Sequence, residues 1–168
     1  AQKALYESYA DTFFGICLRY GGSEAEAEDF LQEAFVRIFL KIADYRFEGS
    51  FEGWMRRIVV NTAISELRKK IHFVELEESM IPEVYHTATD EVFQNLAAED
   101  LLEVIQKLPT GYRTVFNLYA LEGYSHQEIA VMCGISSGTS KSQYARARKM
   151  LQSQLSRLYP GYQARNAV

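Results

Sequence analysis

The chain has 168 residues, 48% of them hydrophobic and 24% charged, with a formal net charge of −4. That apolar content is enough to fold one medium domain or two small ones and excludes a disordered chain. The negative balance argues against a free-standing, non-specific DNA binder. With no run of 18 apolar residues and no signal-like opening, the chain is expected to be soluble and intracellular, without membrane insertion.

Residues 2–20 predict a helix with Leu5, Tyr9, Phe13, Ile16 and Tyr20 along one side, closed by Gly21-Gly22. Ser23-Glu24-Ala25-Glu26 reads as a capping box that opens a long helix to about Tyr45. Its core stripe is Leu31, Phe35, Ile38 and Ile42. The opposite face carries Asp29, Glu33, Val36 and Leu40, with Gln32 at its border. Acids followed by outward aliphatics suit docking against a partner helix; burial on both sides of a bundle is the plainer alternative.

Tyr45-Arg46-Phe47-Glu48-Gly49-Ser50-Phe51 puts three rings into a short loop. Rings in a connection either pack inward or stack on something, and unpaired bases are suitable company. Ser50 is placed to cap a helix from Phe51 to about Lys70. Val60, Ala63, Ile64 and Leu67 would face the core, with Trp54, Arg57, Ile58, Asn61, Ser65 and Arg68 on the other side. Trp54 alone suits a core; beside the loop and the arginines it suits a strand with bases drawn out of the stack.

Periodicity lapses over residues 71–95, which hold Pro82, His72 and His86 and read as an acidic linker. Neither histidine has a metal-ligand partner at useful spacing, and Cys17 and Cys133 stand singly, so buried thiols and no metal or cofactor are expected. A helix resumes at Leu96 (Leu101, Leu102, Ile105, Leu108), stops at Pro109, and is followed by another over Tyr112–Leu121.

Ser125-His126-Gln127-Glu128 is a second capping box. Ile129, Ala130 and Cys133 follow on an apolar face, then Gly134, Ile135 and the capping pair Ser136-Ser137. Two short helices joined through a glycine turn form the helix-turn-helix pattern. On the second helix Ser140, Tyr144, Ala147 and Leu151 share one stripe. Gly138, Ser142, Ala145, Arg146 and Lys149 lie opposite. That small, polar, basic face suits a major groove, with Arg146 reading guanine or gripping phosphate; an ordinary solvated surface is the bland alternative.

Charge distribution favours the groove. From Ser125 onward Lys141, Arg146, Arg148, Lys149, Arg157 and Arg165 stand against Glu128 alone. Arg56, Arg57, Arg68, Lys69 and Lys70 stand against Glu66 within Trp54–Lys70, while Ile71–Glu103 holds nine acids and neither Lys nor Arg. Two basic surfaces separated by an acidic stretch predict two nucleic-acid contacts.

Taken together, AEDFLQEAFVRIF, SFEGWMRRIVVNTAISELRKK and LPTGYRTVFNLYALEGYSHQEIAVMCGISSGTSKSQYARARKML resemble, in that order, the docking, minus-ten and minus-thirty-five segments of a bacterial RNA polymerase sigma factor of the small extracytoplasmic-function group. The resemblance covers nearly the whole length. It implies an all-α chain of two small helical domains joined by a flexible linker: 1–70 for polymerase docking and minus-ten reading, 71–95 the linker, 96–160 a helix-turn-helix for the minus-thirty-five element. Asp29, Gln32, Glu33, Phe35 and Val36 would meet the clamp helices of the largest subunit of core RNA polymerase, although the helical wheel turns Phe35 inward. Phe47, Ser50, Phe51, Trp54, Arg57, Asn61 and Arg68 would hold flipped minus-ten bases. Thr139, Lys141, Ser142, Ala145, Arg146, Arg148 and Lys149 would lie on the minus-thirty-five duplex. An anti-sigma factor is implied as a further partner. Ser140 stands where the family commonly has a β-branched apolar residue, and Gln143 where a basic one is frequent, so base preference does not carry over.

The function expected is therefore promoter recognition and strand opening with core polymerase, by binding and not as an enzyme; no Gly-rich phosphate loop or nucleophile elbow is present. The alternatives are a stand-alone helix-turn-helix regulator, with residues 1–70 as a dimerisation or effector domain, and an adaptor that binds only proteins.

Overall fold

The computed structural model describes residues 1–70 and 98–158. Among these every regular element is helical, and the chain divides into two compact units, Ala1–His72 and Phe73–Val168. The linker expected over 71–95, with His72, Pro82 and His86, lies outside the described residues, as does the tail after Leu158.

In the first unit α1 (Gln2–Tyr20), α2 (Glu24–Lys41) and α3 (Phe51–Lys70) pack against one another. The spacing of their apolar residues explains why: Phe13, Ile16, Cys17 and Tyr20 of α1 meet Phe30, Leu31, Phe35 and Ile38 of α2 and Met55, Val59, Val60, Ile64 and Leu67 of α3, all buried. Each such large side chain contributes roughly 1.5–3 kcal/mol of hydrophobic stabilisation. Gly21 lets the chain reverse tightly between α1 and α2, since a Cβ there would sit 3.2 Å from the Ala27 amide nitrogen and 3.3 Å from the Cys17 carbonyl. Ser23 Oγ accepts from the Glu26 amide (3.2 Å), while the Glu26 carboxylate accepts from the Gly22 amide (2.7 Å) instead of from Ser23 itself. The capping box expected there is thus shifted by one residue.

The second helix ends earlier than its periodicity suggests. α2 stops at Lys41, and a 3₁₀ turn over Ile42–Asp44 follows. Ile42, placed in the core stripe by the wheel, is 43% exposed because the tighter turn rotates it away from Ile38.

The second unit contains α4 (Ala98–Gln106), α5 (Thr110–Phe116) continuing into a π-helical turn (Asn117–Leu121), α6 (His126–Cys133) and α7 (Ser137–Leu158). Pro109 occupies the N-cap of α5. Just before it, the end of α4 is satisfied from a distance: buried Arg113 donates to the carbonyls of Gln106 (3.2 Å) and Leu108 (3.3 Å). A cation on otherwise unbonded C-terminal carbonyls also compensates the negative end of the helix dipole. α7 packs on α5, α6 and α4 through Tyr144, Ala147, Leu151 and Leu155.

Candidate nucleic-acid interface

Three surfaces collect the residues singled out by sequence, two in the first unit and one in the second. In the first, the loop after the 3₁₀ turn delivers its rings to the start of α3. Tyr45 lies with ring centroids 4.9 Å from Phe47, 5.1 Å from Phe51 and 5.4 Å from Trp54, and Phe51 stacks on Trp54 at 5.7 Å and 14°. Phe51 and Trp54 are half-buried in this cluster, whereas Phe47 is 86% exposed. Phe47 is also the one non-glycine residue with positive φ (58°) among those described, a conformation that a bulky side chain adopts only at a cost. Ser50 accepts from the Gly53 amide at 3.0 Å and so caps α3, as its position suggested. Arg57, Asn61 and Arg68 are exposed along the same helix, and Val60, Ala63, Ile64 and Leu67 are buried behind them.

On α2 the outward face carries Asp29, Gln32 and half-buried Glu33, then Val36 (52% exposed) and Leu40 (78%). The two-sided burial considered for this helix is therefore excluded. Phe35 is not part of that face. It is 2% exposed, its ring 4.6 Å from Tyr6, 5.8 Å from Phe39 and 6.0 Å from Phe13, as the wheel indicated and against its assignment to docking. Glu33 accepts from Arg37 Nε at 2.8 Å, and the same guanidinium reaches Glu66 of α3 at 3.4 Å. A shallow cleft of about 320 Å³ adjoins this face, lined by Tyr6, Asp11, Phe14, Glu28, Leu31 and Gln32 among others.

The helix-turn-helix forms as its residues dictate. Ser125 Oγ accepts from the Glu128 amide (3.2 Å) and the Glu128 carboxylate accepts from the Ser125 amide (2.8 Å). Gly134 takes the left-handed conformation that ends α6 (φ 68°, ψ 39°), and Ser136 caps α7 by accepting from the Thr139 amide at 3.0 Å. Ser140 is fully buried in the expected core stripe, and its hydroxyl meets His126 Nδ1 at 2.9 Å. The His126 ring in turn stacks on Tyr119 at 4.3 Å.

Along α7, Lys141 and Lys149 are exposed and Ala145 and Arg146 half-exposed. Three residues assigned to the duplex are not available on that surface. Thr139 (2% exposed) has its hydroxyl bonded by Ser136 at 2.9 Å; Ser142 (1%) turns its own back onto the Thr139 carbonyl at 3.0 Å. Arg148 (6%) falls in line with Tyr144, Leu151 and Leu155, its guanidinium 5.8 Å from the Tyr144 ring centroid. Short hydroxyls near a helix start are consumed by local bonds, and a long side chain one turn beyond a core tyrosine lies along it. Sequence reasoning missed Tyr112, whose hydroxyl accepts from Arg146 Nη1 at 3.3 Å. It also passed over Tyr45 as an individual, although the density of rings around it was visible.

No group of three His, Cys, Asp or Glu able to hold a metal occurs among the described residues, and no helix among them is long and apolar enough to cross a membrane.

The family model for Sigma-70 region 2 matches residues 5–71, and that for Sigma-70, region 4 matches residues 98–151. The ECF RNA polymerase sigma factor SigW of Bacillus subtilis is 31% identical over 166 residues, covering 90% of this chain and 87% of SigW. The chain belongs to the ECF RNA polymerase sigma factors. As such it is a transcription initiation factor acting with RNA polymerase in promoter recognition. SigE of Mycolicibacterium smegmatis is 29% identical over 91% of this chain, which spans 61% of that relative's length. Among solved structures, the sigma factor RpoE of Bartonella quintana, in complex with the anti-sigma factor NepR, shares the fold, with a TM-score of 0.54 at 21% identity over 91% of this chain and 95% of that one. The sigma region 2 match contains the ring-and-arginine face of the first unit, and the region 4 match contains the helix-turn-helix.

Proposed function

We propose that this ECF sigma factor docks on the clamp helices of core RNA polymerase through Asp29, Gln32, Glu33 and Val36, with Leu40 extending the apolar end of that face. Phe47, Phe51 and Trp54, with Arg57, Asn61 and Arg68, then capture unpaired bases of the minus-ten element, and Ser50 fixes the start of the helix that carries them. Lys141, Ala145, Arg146 and Lys149 lie against the minus-thirty-five duplex. Thr139, Ser142 and Arg148 support that helix from within.

The action is binding without covalent chemistry. Drawing a base out of the stack costs a few kcal/mol, and stacking on a ring returns about 1–3 kcal/mol per base, so a small pocket suffices to tip local melting while remaining selective. An anti-sigma factor is the further partner proposed, the exposed Val36 and Leu40 offering it an apolar seat, and the cytoplasm the compartment in which the chain meets polymerase and promoter.

The observation that carries this reading is the ring cluster with one outward ring, set beside exposed Arg57, Asn61 and Arg68 in the segment matched by Sigma-70 region 2. Run-off transcription with purified core enzyme on a genomic library tests it. Discrete start sites sharing two upstream elements are expected. Failure to join core polymerase, or tight specific binding of duplex by the chain alone in a gel shift, would favour the protein adaptor or the stand-alone regulator respectively.

A further inference from the structure

We propose that Tyr45 is the positioning residue of the minus-ten loop: it holds Phe47 in its outward, left-handed conformation and is not itself a surface on which a base stacks. The inference rests on the reading of this loop as a base-capturing element and adds what makes the loop selective.

One residue makes the bonds that close this loop at both ends and carries its ring contacts. The Tyr45 amide donates to the Ile42 carbonyl at 3.3 Å, seating the residue at the end of the 3₁₀ turn. Its hydroxyl donates to the Gly49 carbonyl at 2.7 Å, tying the two ends of the loop together. Between those bonds its ring contacts Phe47, Phe51 and Trp54, at interplanar angles of 52°, 58° and 48°. Gly49 absorbs one left-handed turn (φ 88°) without penalty, but Phe47 adopts another (φ 58°) with a bulky side chain. Such strain persists only where the surroundings over-determine it. The Tyr45 ring and the 45–49 hydrogen bond are the restraints that do so.

Burial separates the two roles. Tyr45 is half-buried beneath its neighbours, while Phe47 offers 86% of its surface outward. A loop ordered in advance spends less binding energy on ordering when a base arrives, and it discriminates better between bases that fit and bases that do not.

The test uses holoenzyme made with purified core polymerase and a forked minus-ten DNA carrying 2-aminopurine at the flipped position. Tyr45→Phe keeps every ring and loses only the 45–49 hydrogen bond. It should lower selectivity between the preferred and a substituted base roughly threefold to tenfold, as expected for one hydrogen bond, while core binding and closed-complex affinity stay at wild-type values. In a Phe47→Ala background the same change should add nothing, because there is no longer a ring to position. Unchanged selectivity in Tyr45→Phe, or full additivity with Phe47→Ala, overturns the proposal. Wild-type holoenzyme that gives no 2-aminopurine signal overturns the minus-ten reading itself, and this inference with it.

Discussion

The loop-and-helix face of the first unit and the helix-turn-helix of the second both carry arginine side chains, yet they build their surfaces by different means. Between Tyr45 and Trp54 four rings crowd together, and the backbone accepts strain at Phe47 to leave one ring outside. Along α7 the lone ring, Tyr144, is 2% exposed, and the outward residues are Lys141, Lys149 and an Arg146 braced by Tyr112. Stacking accepts any base but requires it out of the duplex; charge and hydrogen bonding on a straight helix suit a groove with the bases still paired. On the proposed reading, one chain thus pairs a surface suited to separated strands with another suited to intact ones.

The largest effect expected is on the platform of the second surface. Leu151→Ala empties a fully buried site under α7 and should cost about 2–5 kcal/mol in urea unfolding. Minus-thirty-five duplex binding should fall with it while fork capture persists; simultaneous loss of fork selectivity would break the division between the two faces. Trp54→Ala removes a stacking partner worth about 1–3 kcal/mol per base. It should depress permanganate reactivity of the minus-ten region far more than closed-complex affinity, and equal losses would count against it. Arg146→Ala should do the reverse, costing roughly 1–3 kcal/mol of discrimination at a single base pair of the minus-thirty-five element. Competition binding with single-base variants measures it, and a loss shared evenly by all sequences would reduce Arg146 to a phosphate contact.

Two smaller effects sharpen the contrast. Ser125→Ala deletes half of the capping box on α6 and should lower stability by about 1 kcal/mol, seen as a shifted urea midpoint with fork capture unchanged. Cys17 lies in the core of the first unit, where burial pushes its thiol from 9.0 up to about 12. At neutral pH Cys17→Ala should leave the pH response unaltered, because the thiol is protonated both folded and unfolded. Above about pH 9 the unfolded thiol ionises and the folded one does not, so wild-type stability should fall steadily towards pH 12. Urea midpoints across that range should show the decline in wild type and a weaker one in Cys17→Ala; identical slopes would mean that Cys17 is readily hydrated.

Much of this was written locally in the chain. Apolar spacing marked the helices, Ser125 with Glu128 and Gly134 marked the ends of α6, and the alternation of basic, acidic and basic segments separated the two surfaces. These features depend on neighbours three or four residues away, which a helix brings together whatever surrounds it. Tertiary structure decided the rest. A wheel assigns each residue a direction but not what it meets there, so it could not show that Thr139, Ser142 and Arg148 are buried or that Ile42 swings out. Nor could spacing place Arg146 on Tyr112, 34 residues away, or gather three rings around Tyr45 with Phe47 turned outward. The Arg146–Tyr112 contact exists only once separate helices have packed, and the ring cluster only once its loop has closed onto the start of α3, because packing chooses which polar groups must find partners inside and which rings remain free to stack.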